Sequence, residues 1–152
     1  MKGVFELRSP RQLFEKLEAD YRRVQADPLD SFAAYDFFVT AWHLVEWKHP
    51  PATDAAARTA LLARAPALRV CEHLAVGAKH FEPDSSRHTS VADTKSTGVW
   101  APGVWAPGTW TPGTWAGDLV VSLDGAARTA FGDKLTVQEL ARVVMDAWRP
   151  EF

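Results

Sequence analysis

Apolar residues recur at helical spacing through the first half of the chain and give way to strand-like runs only near its end. After Ser9-Pro10-Arg11-Gln12, residues Phe14, Leu17, Tyr21 and Val24 return every three or four positions, which predicts a helix with one apolar face. Ser9 stands where an N-cap is needed, Pro10 suits the first helical position, and Gln12 completes a capping-box pattern. Asp27-Pro28 ends this helix, because the residue before a proline avoids the helical region. A second helix is expected from a cap at Asp30 or Ser31 to about Lys48. Phe32, Tyr35, Phe37, Phe38, Val39, Trp42, Leu44, Val45 and Trp47 make it apolar nearly all round, the pattern of a central, buried helix. His49-Pro50-Pro51 stops it. Asp54 is placed to cap a short Ala-rich helix to about Ala65, and Pro66 opens another. That helix carries Ala67, Val70, Cys71, Leu74, Ala78 and Phe81 on one face and closes at Glu82-Pro83-Asp84.

The pattern then changes. Residues 84–97 are polar and read as an exposed loop or an edge strand. Leu119-Val120-Val121-Ser122-Leu123 predicts a strand, Asp124-Gly125 a tight turn, and Ala126 to Phe131 the returning strand of a hairpin. Thr136-Val137-Gln138-Glu139 is a capping box, with Leu135 and Leu140 placed as a hydrophobic staple. Leu140, Val143, Val144, Ala147 and Trp148 form the apolar stripe of a final helix. The expected fold is α+β: a bundle of about four helices, a small antiparallel sheet or hairpin, and a C-terminal helix docked on the bundle. A chain of 152 residues fits a single domain. Within it lie a helical region at 8–82, a repeat at 98–117, and a hairpin plus helix at 119–152.

The repeat is the unusual feature. From Gly98 the chain reads GVWAP, GVWAP, GTWTP, GTWAG, so Trp100, Trp105, Trp110 and Trp115 recur every five residues. A five-residue period matches neither an α-helix nor one face of a straight strand. Pro-Gly at 102–103, 107–108 and 112–113 favours type II turns, whose third residue takes the positive φ that glycine tolerates. The segment holds four of the seven Trp and no charged residue. It reads either as an expanded loop with partly buried rings or as an interaction surface. Exposed together, four rings would form a larger apolar patch than monomers usually carry, and Trp is enriched at binding hot spots. Stacking on bases would normally come with basic residues.

Composition narrows the options. Lys+Arg number 17 against 19 Asp+Glu, a formal net charge of −2, which argues against a nucleic-acid partner. The single Cys excludes an internal disulfide framework. No apolar run approaches the roughly 18–20 residues of a membrane helix, and the N-terminal residues lack a signal-peptide core, so a cytoplasmic protein is expected.

Two helices carry candidate chemical groups. Asp36 and His43 share a stripe of the second helix, and Glu46 lies one turn beyond His43. Arg69, His73 and His80 share a stripe of the helix opened by Pro66. If the two helices pack together, His43, His73 and His80 could meet Asp36 or Glu46 as an acid–base set, and two His with a carboxylate would also suit a metal. The ordinary alternative is that these groups border the core and bond to backbone. Cys71 sits on an apolar face and reads as a small core residue. No phosphate loop, nucleophile elbow or His-Glu-x-x-His helix is present.

Phe37 to Trp47 and Cys71 to Phe81 together resemble segments of small bacterial helical proteins similar to the HEPN superfamily. The likeness spans roughly residues 10–82 and includes the Trp148 to Phe152 ending. It implies a helical bundle, often dimeric, in a phage-defence or toxin–antitoxin setting. HEPN ribonucleases space their Arg and His more widely than Arg69 and His73, so the resemblance supplies no catalytic residue. The expectation is a non-enzymatic interaction or assembly protein, homo-oligomeric or bound to a protein partner, with no cofactor or metal. Its contact surface would be the Trp repeat or the aromatic helix. A hydrolase or nuclease using the His and carboxylate set, and a ligand-binding module using exposed Trp, are the alternatives.

Overall fold

Local capping sets where the helices begin. In the computed structural model, which describes residues 3–80, 88–97 and 117–152, the Ser9 hydroxyl accepts the Gln12 backbone N–H and Pro10 opens α1 (Pro10–Ala26). The Gln12 side chain reaches back to the backbone N–H of Arg8, one residue before the cap, and not to Ser9 N–H as a standard capping box would. Asp30 caps α2 (Ser31–Lys48) by accepting from Phe32 and Ala33 N–H. α3 (Ala55–Arg64) starts after Asp54, but that carboxylate makes no cap bond. It faces His49 Nδ1 at 2.7 Å instead, tying the turn between α2 and α3. Pro66 opens α4 (Pro66–Lys79). Phe81 and the stop at Glu82-Pro83-Asp84 lie outside the described residues.

Three antiparallel strands follow in the order β1-β2-β3: β1 (Val91–Thr97), β2 (Asp118–Leu123) and β3 (Lys134–Thr136). The polar stretch before the repeat therefore does supply an edge strand. The hairpin expected at Asp124-Gly125 does not form. Residues Gly125–Phe131 are a helix, α5, and the strand that returns to β2 is β3. The reason is local. The Asp124 carboxylate accepts the Gly125 N–H at 2.7 Å, the Ala-rich run after it favours a helix, and its side chains offer little to pack in a strand. Gly125 enters α5 at φ +54°, where a Cβ would meet the Thr89 carbonyl at 3.0 Å. Glycine is needed there for backbone shape and for space, not for a two-residue turn.

α6 (Val137–Trp148) carries the expected capping box: Thr136 Oγ1 accepts from Glu139 N–H, and the Glu139 carboxylate accepts from Thr136 N–H. Those bonds to Thr136 hold the Glu139 carboxyl below its usual range. A short 3₁₀ turn, Arg149–Glu151, ends the chain's secondary structure. α6 packs on α1, α2 and α4, so the last helix docks on the bundle. Phe37, Leu44 and Val45 of α2, Leu68 and Val70 of α4, and Leu140 and Trp148 of α6 meet in one apolar core. Phe152 stacks on Phe14 with ring centroids 4.6 Å apart, while Lys48 and Arg64 both reach the Glu151 carboxylate. These contacts fasten the chain end to α1, α2 and α3.

One polar group is buried between α1 and α2. Thr40 Oγ1 donates to Asp20 Oδ2 at 2.9 Å, and Lys16 Nζ donates to both Asp20 and Thr40. No helix among the described residues is long and apolar enough to cross a membrane.

Candidate functional site

Helical spacing builds two walls of a groove. On α2, Tyr35, Phe38 and Val39 stand at i, i+3 and i+4; on α4, Leu74, Gly77 and Ala78 do the same. The third wall is the sheet, through Thr94–Ser96 of β1 and Leu119–Val121 of β2. The groove has a volume of about 660 Å³ and a mostly apolar lining, with Lys95 as its charged member.

Its mouth is partly exposed and apolar. Tyr35 and Leu29 line it while staying 53% and 43% exposed, and Phe32, one turn before Tyr35, is 79% exposed. The central helix is therefore not buried all round. Its C-terminal two-thirds carries the core, and its first turn presents an apolar rim to solvent. The physical reason lies in the partners: α1 and α4 pack on α2, where Phe37, Phe38, Leu44 and Val45 are buried, while Phe32 stays exposed.

The sheet wall ends where the repeat begins. Thr97 pairs with Asp118 as the last rung of the β1–β2 ladder. The Thr97 hydroxyl donates to the Asp118 carbonyl and accepts the Asp118 N–H, at 3.1 and 3.2 Å. Trp100, Trp105, Trp110 and Trp115 lie outside the described residues.

The His and carboxylate candidates have separate engagements. Asp36 is half-buried and turned to α1, where Arg23 Nη1 donates to it at 2.7 Å. His43 is exposed and Glu46 half-buried on α2. His80 is exposed at the end of α4. His73 is half-buried, and its Nδ1 accepts the Val91 backbone N–H at 3.1 Å, fixing the start of β1 to α4. That bond requires a neutral ring with its proton on Nε2. Burial first, and then the charge of His88, hold the His73 imidazole below its usual range. The His88 ring stands 5.8 Å from that of His73. His88, next to Arg87, lies in a polar run with no periodicity, so spacing alone could not bring it to His73. Among the described residues, no three His, Cys, Asp or Glu stand together as a metal set. Cys71 is fully buried, and desolvation raises its thiol far above the reactive range.

Comparison with known protein families, with curated proteins and with solved structures finds no match to this chain. The groove and its rim must therefore be read on their own chemistry.

Proposed function

We propose that this chain is a small interaction protein that self-associates through aromatic surface on α2 and the Trp repeat. The observation that carries the reading is the exposed apolar trio Leu29, Phe32 and Tyr35, of which Leu29 and Tyr35 line an apolar groove. Apolar area left in water costs about 25 cal/mol per Å² relative to burial. Two large aromatics side by side on one helix turn are thus a standing driving force for association. Aromatic anchors beside a recess are also the usual make-up of interface hot spots. The sequence of the repeat, with four Trp and no charged residue, follows directly on Thr97 at the last rung of β1.

The test is absolute mass by light scattering across a concentration series. The intact chain is expected to exceed the 16.8 kDa of one copy. Replacing Phe32 and Tyr35 by Ser removes the rim without touching the buried core, and is expected to shift the mass toward one chain. An intact chain that stays at one-chain mass at every concentration would refute self-association.

A further inference from the structure

We infer that the turn at Val4–Leu7 seats Phe5 and Glu6 in the groove of a second copy, and that two copies do so reciprocally. This deepens the self-association reading and rests on it. It joins a strained aromatic knob to an apolar recess that carries one cation.

The knob is built just before α1. Val4 N–H donates to the Leu7 carbonyl and Leu7 N–H to the Val4 carbonyl, both at 2.9 Å, which closes a hairpin turn with Phe5 and Glu6 at its apex. Phe5 stands at φ +50°, in the left-handed region that bulky side chains avoid. The surroundings hold it there. Gly3 precedes it at φ +78°, with no room for a Cβ against the Leu7 carbonyl, and Arg8 Nε donates to the Phe5 carbonyl at 3.2 Å. Yet the ring on this backbone is 87% exposed and takes no part in the core. Packing within its own chain therefore does not account for the strain. Backbone outliers that persist in this way cluster at binding sites.

Place sets the turn apart from the groove of its own chain. Lys16 bonds Thr40 and Arg23 bonds Asp36, so α1 and α2 run antiparallel. The turn precedes the start of α1, whereas the groove opens at Leu29, Ser31 and Tyr35, beyond its end. The 17 residues of α1 span about 25 Å. Knob and recess thus lie at opposite ends of the helix pair, and another copy brings them together.

Chemistry and size favour that pairing. A phenyl ring entering the groove meets Phe38, Leu74 and Val121, with Tyr35 at the mouth, and aromatic rings pair well edge-on or offset. Glu6 is exposed beside Phe5, and Lys95 is the charged member of a lining that holds no carboxylate. A recess of about 660 Å³ takes one drug-sized group, which is the scale of a two-residue apex. Each insertion buries about 150–250 Å² of ring and a like area of groove. Two insertions bury roughly 600–1,000 Å², below the ~1,200 Å² at which stable complexes begin. The dimer is therefore weak, and concentration decides its population.

Sedimentation and light scattering of full-length variants across a concentration series test this, with circular dichroism checking each fold. Glu6→Lys and Lys95→Glu alter exposed residues on separate elements. Each is expected to weaken dimerisation about five-fold, the effect of losing two exposed ion pairs. The double variant restores both pairs with their signs exchanged and is expected within about two-fold of the intact chain. Phe5→Gly is expected to weaken dimerisation at least ten-fold without lowering the melting temperature of the dilute protein, because glycine accepts φ +50°. If the double variant is as weak as both single changes combined, or Phe5→Gly dimerises like the intact chain, the turn–groove contact is overturned while self-association stands. A lower melting temperature for Phe5→Gly would place the ring in its own fold and overturn the knob. If the intact chain stays at one-chain mass at every concentration, both readings fall.

Discussion

Asp20, Thr40 and Lys16 join α1 to α2, and their burial lets the cost of breaking them be worked out. Asp20 and Thr40 are 5% and 4% exposed, whereas the Lys16 side chain is 37% exposed. Asp20→Ala removes the acceptor of both donors. Lys16 can turn its ammonium to water, so the loss stays below the roughly 3–5 kcal/mol of a fully buried broken pair. The Thr40 hydroxyl has no such exit, and a buried unsatisfied donor costs about 1–3 kcal/mol. Asp20→Ala is therefore expected to destabilise by about 2–3 kcal/mol. Thr40→Val in the intact background loses a bond to a charged group and is expected to cost about 1–2 kcal/mol. In the Asp20→Ala background the same change deletes an orphaned hydroxyl and should cost nearly nothing. Urea unfolding followed by circular dichroism gives the four free energies, provided the slopes agree. The expected coupling is about 1–2 kcal/mol. A Thr40→Val cost equal in both backgrounds, within about 0.3–0.5 kcal/mol, would mean that the two residues act independently and would refute the latch.

Two further perturbations probe the other ends of the fold. His73 has a folded pKa below its ordinary 6.5, so the unfolded chain takes up its proton first. The stability it provides is complete above pH 6.5 and is lost as pH falls below that value toward the folded pKa; His73→Gln should flatten the loss of melting temperature between pH 7.5 and 5, and an unchanged slope would contradict the His73–Val91 clamp. Trp148 is fully buried, and among the described residues its Nε1 has no hydrogen-bond partner. Trp148→Phe discards that unsatisfied donor and keeps most of the ring, so it should cost under about 1.5 kcal/mol against about 3–5 for Trp148→Ala; equal costs in urea unfolding would show that the indole N–H is satisfied after all.

The helices were legible because their signals are local. Ser9-Pro10, Asp30 and the Thr136 to Glu139 box each act within one turn, and the structure uses all three as caps. Gly125 misled for the same reason. An Asp-Gly pair reads as a hairpin turn, but the Asp124 carboxylate caps the Gly125 N–H and the Ala-rich run beyond it carries the chain into α5. The groove was illegible for a related cause. Tyr35, Leu74 and Leu119 belong to three elements, and periodicity says which face is apolar but not which apolar face goes uncovered. The His residues show the opposite error. Shared stripes on α2 and α4 placed them correctly on their helices, yet Arg23 and Val91, unseen by any spacing rule, took Asp36 and His73 as partners.

The closed rung at Thr97 and Asp118 also bears on how this sequence can change over generations. Because the ladder is sealed there, adding or losing a pentapeptide leaves the register of β1 and β2 untouched. Lengthening a twenty-residue excursion by five raises its closure cost by only about 0.2 kcal/mol. Tandem duplication of a fifteen-base unit would then pass almost unnoticed by the fold while changing the number of Trp residues in the repeat. Copy number at this position can therefore drift without asking the rest of the protein to adjust.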